Sequence, residues 1–191
     1  MALLALIVLA PLMLATALMI LISQPGPVLF AQWRVGRHGQ PFRCYKFRTM
    51  ATNAQELLRD LLAHDPMARA EWAADQKLRH DPRVTPIGRF LRKSSIDELP
   101  QLFNVLKGEM SIVGPRPIVL DEVRRYGRYF DHYCRVRPGI TGLWQVSGRN
   151  DTTYRRRVAC DVAYVKTRSF LGNIQIIAAT VPSVLQRSGS Y

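Results

Sequence analysis

Lys93-Ser94-Ser95-Ile96-Asp97-Glu98-Leu99-Pro100-Gln101-Leu102-Phe103-Asn104-Val105-Leu106-Lys107-Gly108, with Gly114-Pro115-Arg116-Pro117 just beyond it, is the stretch on which the reading of this chain turns. Proline is tolerated at the start of a helix, so a helix is expected from about Pro100 to Leu106, stopped by Gly108. Asp97 and Glu98 then stand immediately before it, near the positive end of its dipole, where carboxylates or a bound phosphate are stabilised. The plain alternative is a capping box with Ser95 as N-cap and Glu98 three residues on. Pro100 weakens that alternative. It would be the fifth helical residue, where its absent N–H loses a bond.

The acidic pair lies in a strongly basic chain. The 191 residues carry 27 Lys and Arg against 14 Asp and Glu, a net charge of +13, and 48% of them are hydrophobic. That length suits one domain, or one domain plus a membrane anchor. The charge is clustered. Residues 31–50 hold Arg34, Arg37, Arg43, Lys46 and Arg48 with no acid, and residues 124–157 hold nine arginines against Asp131 and Asp151. Residues 51–82 between them are slightly acidic. Two basic blocks around a neutral insert point to a localised anion site, the bland reading being a solvated basic surface. Cys44, Cys134 and Cys160 are odd in number and widely spaced, which argues against a disulfide framework or a zinc site and for a reducing, cytosolic face.

Met1 to Ile22 contains no charge. As a straight helix it would extend roughly 33 Å, about the thickness of a bilayer's hydrocarbon core. A signal peptide is disfavoured because the charged leading region is missing and apolar residues continue past Ala15-Thr16-Ala17. Pro11 removes a backbone hydrogen bond, leaving a kinked spanning helix and a helix–break–helix hairpin as alternatives. Basic residues begin only at Arg34, which places the following domain on the cytosolic face either way.

Beyond the break at Gln24-Pro25-Gly26-Pro27, Val28-Leu29-Phe30 reads as a short strand and Pro41 to Arg48 as a strand or extended arm with one cationic face. Residues 54–63 and 66–78 read as helices, the second capped by Asp65-Pro66. Asp81 to Gly88 reads as a loop, Asp121 to Tyr133 as a helix with an aromatic core side, and Pro138 to Gly142 as a turn. Leu143 to Val146 is expected as a strand, Arg155 to Val165 as a helix, and 170–187 as a last helix with few charges, suited to a membrane interface. The expected class is α+β, mostly α-helical with little strand.

A carboxylate near Arg92, Lys93 and Arg116 is expected to stay ionised at neutral pH. An ionised Asp is a nucleophile that needs no general base, and a neighbouring Glu can hold Mg²⁺, which binds through one or two carboxylates plus phosphates. Arginines suit bidentate phosphate recognition.

Four motifs carry a resemblance: Lys46-Phe47-Arg48-Thr49-Met50, Asp97-Glu98-Leu99-Pro100-Gln101, Gly114-Pro115-Arg116-Pro117, and Arg137 through Arg149 (RPGITGLWQVSGR). In this order they resemble the bacterial sugar transferases, the monotopic phosphoglycosyl transferases, from about residue 5 to the C-terminus. The insert at 51–82 and the final Tyr191 resemble the undecaprenyl-phosphate galactose phosphotransferase branch. The resemblance implies a ping-pong reaction in which Asp97 attacks the β-phosphate of a UDP-hexose, releases UMP and holds the sugar phosphate. Undecaprenyl phosphate then accepts it, initiating a lipid-linked exopolysaccharide, capsule or O-antigen glycan. Asp97 and Glu98 would be catalytic, with Glu98 binding Mg²⁺. Lys46, Arg48, Arg92, Arg116, Arg137, Gln145 and Arg149 are the implied phosphate and nucleotide contacts.

The resemblance also implies a re-entrant hairpin at 1–24, broken at Pro11, at the inner membrane, with a compact cytosolic domain at 25–191. The family's Ser-Pro step is Ala10-Pro11 here. The resemblance implies a short basic lead before the apolar segment, so a truncated or a misassigned start is left open. A homodimer is left open, as is the identity of the hexose. A nucleic-acid partner is not expected, because no zinc finger, RNP-type motif or helix-turn-helix is present. A noncatalytic membrane scaffold would explain the anchor and leave the acidic pair without a purpose.

Overall fold

The computed structural model describes residues 2–75, 78, 80–148 and 153–185. The apolar segment forms one helix, α1 (Ala2–Ser23), with Pro11 inside it and Thr16 Oγ1 donating to Leu12 O at 2.8 Å. It is long and apolar enough to cross a membrane, with mean hydropathy 2.7 over its most apolar window. Leu3, Leu4, Ile7, Val8, Leu14, Leu18 and Ile22 are exposed, while Thr16 and Ile20 are buried. An apolar helix that leaves most of its side chains uncovered by protein needs another apolar phase to cover them.

The α1 exit meets an antiparallel hairpin, β1 (Leu29–Val35) and β2 (Pro41–Phe47), paired from Leu29↔Phe47 to Val35↔Pro41. Leu29 starts a longer strand than the expected 28–30, because each of its residues finds a partner on β2. Helices α2 (Ala54–His64) and α3 (Pro66–Asp75) follow. Asp65 Oδ1 accepts from Met67 N at 2.8 Å and Ala68 N at 3.1 Å, the cap its sequence predicts.

The loop expected to reach Gly88 ends earlier. Helix α4 (Pro86–Ser94) begins at Pro86 because Thr85 is its N-cap, accepting from Gly88 N at 3.0 Å. A side chain on Gly88 would collide with the backbone of Thr49, so this glycine lets α4 lie against the end of β2. Ser95 stands in the left-handed region at φ 57°, the chain makes one 3₁₀ turn over Ile96–Glu98, and α5 (Gln101–Leu106) follows. Gly108 ends that helix region at φ 75°.

Three readings are corrected downstream. Ser111–Val113 forms β3, which pairs in parallel with β4 (Gly139–Thr141), where a turn was expected. Glycine at 114 and 139 permits this contact: a Cβ on Gly114 would lie 2.5 Å from Arg137 O. The helix expected over Asp121 to Tyr133 is broken at Gly127 (φ 50°) into α6 (Val123–Tyr126) and α7 (Phe130–Cys134). Leu143–Val146, expected as a strand, is helix α8. Leu143 and Val146 are three apart and both pack on the Val113–Tyr164–Ile176 cluster, so they share one helical face. Helices α9 (Tyr154–Thr167) and α10 (Phe170–Leu185) complete the chain. The fold is mostly helical with few strands, as expected. Helix α10 buries Ile176 and exposes Phe170, Leu171, Ile174 and Val181.

Two apolar clusters position what matters below. Ile20, Phe47 and Leu91, with Ile96 and Leu99, join α1, β2, α4 and the acidic turn. Tyr126, Tyr133, Ile118, Val35 and Val158 form a second core. There Tyr133 Oη donates to Val35 O at 2.6 Å and accepts from Ile118 N at 3.3 Å, tying the hairpin to the segment after Pro117.

Candidate active site

The acidic turn is held from both sides. Ile96 and Leu99 pack into the α1 cluster, and Asn104 on α5 pins β2. Asn104 is fully buried; its amide donates to Arg43 O and Glu109 Oε2, both at 2.7 Å, and its oxygen accepts from Tyr45 N at 3.0 Å. That clamp sets the register of Lys46 against the carboxylates. Lys46 Nζ lies 2.6 Å from Glu98 Oε1 and 3.6 Å from Asp97 Oδ2. Arg116 Nη1, from the loop after β3, is 3.4 Å from the same Glu98 oxygen. Glu98 therefore makes no capping box with Ser95, which caps nothing through its side chain.

Lys46, Glu98 and Arg116 line a narrow cleft with Arg34, Cys44, Gln101, Pro117 and Ile140. Its volume is about 10 Å³, room for little more than a water. Any larger anion entering it must draw Lys46 and Arg116 off Glu98.

The two acids differ. For Glu98 burial opposes ionisation, but the charges and hydrogen bonds of Lys46 and Arg116 outweigh it and hold the carboxyl at about 2. Asp97, only 7% exposed, is pushed up by burial, against the pull of Lys46 and with the charge of Glu98 adding to the rise. The surrounding cations thus favour the ionised form of Glu98, while at Asp97 burial works against them.

The other expected contacts scatter. Arg92 Nε donates to Thr49 Oγ1 at 3.0 Å; burial lowers its pKa, with Asp97 the foremost of the charges opposing that. Arg48 is buried and donates to Pro25 O at 3.2 Å and to Gln24 O, fastening the α1 exit to β2. Gln145 is buried on α8 beside Gly142. Arg137 lines a different cavity, with Arg37, Arg135 and Arg168. Arg149 lies outside the described residues. Sequence reasoning missed Arg34 as a wall of the cleft. It donates to Pro117 O at 3.1 Å and lies 3.9 Å from Glu122, and burial lowers its pKa. Its only sequence signal was membership of the first basic block.

Among the described residues no three His, Cys, Asp or Glu side chains converge as a metal cage. The acidic pair nonetheless fits Mg²⁺, which takes one or two carboxylates and completes its shell with phosphate and water. Both cation contacts on Glu98 use Oε1, so Oε2 remains as a hard ligand.

A family model described as bacterial sugar transferase matches residues 1–187. The chain is 58% identical to an undecaprenyl-phosphate galactose phosphotransferase of Salmonella typhimurium over 166 residues, covering 87% of this chain and 35% of that protein. It is 48% identical to the exopolysaccharide production protein ExoY of Sinorhizobium fredii over 190 residues, covering 100% of this chain and 84% of that one. A UDP-glucose:undecaprenyl-phosphate glucose-1-phosphate transferase of Caulobacter vibrioides is 41% identical over 190 residues, with 95% and 66% covered. The chain spans about a third of the length of the Salmonella protein.

Proposed function

Because the chain belongs to the bacterial sugar transferase family, we propose that it transfers a hexose-1-phosphate from a UDP-hexose to undecaprenyl phosphate, releasing UMP. The observation that carries this reading is the convergence of Lys46 and Arg116 on the Asp97–Glu98 turn, whose Ile96 and Leu99 pack in the same cluster as Ile20 of the apolar helix α1. Relatives are named for galactose and for glucose transfer, so either hexose suits the reading.

In the first step a carboxylate oxygen of Asp97 attacks the phosphorus that bears the sugar. The new O–P bond replaces the bond to the bridging oxygen, whose electron pair leaves with UMP. In the second step an oxygen of undecaprenyl phosphate attacks the same phosphorus and Asp97 is released, leaving a lipid-linked hexose diphosphate. Lys46 and Arg116 move from Glu98 to the incoming phosphates, which relieves their neutralisation of the acid and stabilises the charge that develops. Glu98 Oε2 and the Asp97 carboxylate would hold Mg²⁺, which when bound screens the phosphates from an anionic nucleophile.

The site lies against α1, so the lipid acceptor can approach from the membrane while the nucleotide arrives from water. We read α1 as a re-entrant hairpin bent at Pro11, with both ends and the catalytic domain on the cytosolic face of the inner membrane. In that setting the reaction initiates a lipid-linked exopolysaccharide, capsule or O-antigen glycan.

The test is the mass of the protein after incubation with UDP-galactose or UDP-glucose and Mg²⁺, without lipid acceptor. One hexose phosphate on the peptide containing Asp97 is expected. A label on another residue, or UMP release with no label at all, would falsify the covalent mechanism.

A further inference from the structure

Away from the acidic cleft, four arginines from three parts of the chain surround a cavity of about 410 Å³. Arg37 comes from the turn between β1 and β2, Arg135 and Arg137 from the segment between α7 and β4, and Arg168 from the end of α9. All four are exposed to solvent. Among the described residues none of the four makes an ion pair or a side-chain hydrogen bond. More buried arginines do: Arg34, Arg48, Arg83, Arg92, Arg116 and Arg157 each donate to a carboxylate, a carbonyl or a hydroxyl.

The wall behind the arginines is built. The Tyr164 hydroxyl lies 3.0 Å from Val113 O and 3.1 Å from Asn173 Oδ1, so its single proton serves one acceptor at a time, and Tyr164, Val113 and Asn173 all line the cavity. Arg168 acts on the Tyr164 hydroxyl, whose pKa is raised by burial and partly drawn back by that guanidinium. The cavity shares no lining residue with the cleft of Lys46, Glu98 and Arg116. The β3–β4 pair separates them, with Val113 and Arg137 lining one and Ile140 the other.

Four like charges around one cavity raise its positive potential and draw anions into it, most strongly at low ionic strength. The volume falls in the range of small-ligand sites, and guanidinium groups bind phosphate oxygens bidentately. One phosphate carries at most half the charge needed to balance four arginines. We propose that this cavity is a second anion site, for a compact ligand carrying two or more phosphates. The ligand is either the diphosphate of a nucleotide or a free inorganic polyphosphate. The inference goes beyond the transfer reaction, whose bond-making steps do not use these arginines.

The test is calorimetric titration of the full chain in detergent, without Mg²⁺, with inorganic pyrophosphate and separately with UDP. Pyrophosphate affinity should fall at least tenfold in the double variant Arg135→Gln, Arg168→Gln, and stay within twofold of wild type in Lys46→Gln, Arg116→Gln. Should the first double variant melt early, Arg37→Gln, on an exposed turn, serves in its place with a fall of about threefold. UDP that competes with pyrophosphate identifies a nucleotide as the source, and UDP that binds alongside it identifies free polyphosphate; both keep the cavity as the site. The proposal is overturned if pyrophosphate does not bind the folded wild type, if the arginine variants bind it unchanged, or if only the Lys46 and Arg116 changes weaken it. Binding needs no turnover, so a chain that binds pyrophosphate here but releases no UMP retains this site and loses the transferase reading.

Discussion

Glu98 and Asp161 are both carboxylates removed from water beside an arginine, yet the protein shifts their pKa values in opposite directions. Glu98 faces Lys46 and Arg116 across a cleft and is held at about 2. Asp161, 2% exposed on α9, takes its closest hydrogen bond from a neutral group, Tyr126 Oη at 2.6 Å, and burial lifts it to about 6. Arg157 nearby is engaged elsewhere. It donates to Glu122 Oε1 at 3.2 Å and lies over the rings of Trp144 and Tyr154 at 5.0 and 5.1 Å. Tyr126 is packed edge-on against Tyr133 and Tyr154. The cleft thus keeps ionised groups on long side chains that a substrate can rearrange, whereas the aromatic core encloses its acid with a hydroxyl that nothing displaces. The first arrangement is suited to chemistry and the second to holding α6 against α9.

The strongest way to break this comparison is Asp97→Asn. An amide is too weak a nucleophile, so UMP release should fall by about 10⁴-fold or more with the melting temperature little changed. Retained UMP release in a radiochemical assay would make the cleft as structural as the Asp161 core. Glu98→Gln comes next. Activity should drop by about 10²- to 10³-fold, with a higher Mg²⁺ requirement in the same assay, because the substitution removes both a metal ligand and the counter-charge of Lys46. Arg116→Lys keeps the charge and loses the planar fork; a fall of about 10²-fold in kcat/KM is expected. An unimpaired lysine variant would mean that Arg116 supplies only field.

On the other side, Tyr126→Phe should leave specific activity within about twofold while costing about 1.5–3 kcal/mol, because Asp161 loses its donor in a closed core. Thermal melts together with activity per folded molecule check it. A comparable effect on stability is the pH dependence carried by Asp161. Its pKa is raised in the fold from 3.8 to about 6, so the folded state binds the proton more tightly than the unfolded one between these values. Its contribution is therefore full below pH 4 and is lost as pH rises through 6, a decline of order 3 kcal/mol. Asp161→Asn should flatten that slope, and a slope unchanged in denaturant titrations at pH 4 to 7 would show that Asp161 is not its source.

Much of the fold was legible because its determinants are local. The α1 length, the Asp65-Pro66 cap, the breaker at Gly108 and the alternation of Pro41 to Phe47 act within a few residues. The aromatic stripe predicts core positions at Tyr126 and Tyr133, which are buried, but its periodicity runs through Gly127 and hides the break there. At Leu143–Val146 a four-residue run offers too few positions to separate the two periods. Strand β3 has three residues and exists only because β4 pairs with it.

By itself the sequence determined the apolar N-terminal helix, the basic character, the place of Asp97 and Glu98 before a short helix, and the order of the motifs. Each of these depends on the proline ring, the charge or the hydropathy of neighbouring residues. The tertiary structure alone decided which cations meet those acids. Lys46 reaches Glu98 across 52 residues because Asn104 pins β2, Arg48 is drawn off to the α1 exit, and Arg137 falls on the far side of the β3–β4 pair. A charge on a long side chain carries no record in the sequence of the partner it will find. That partner is chosen by how strands and helices dock, through burial and backbone contacts spread over the whole chain.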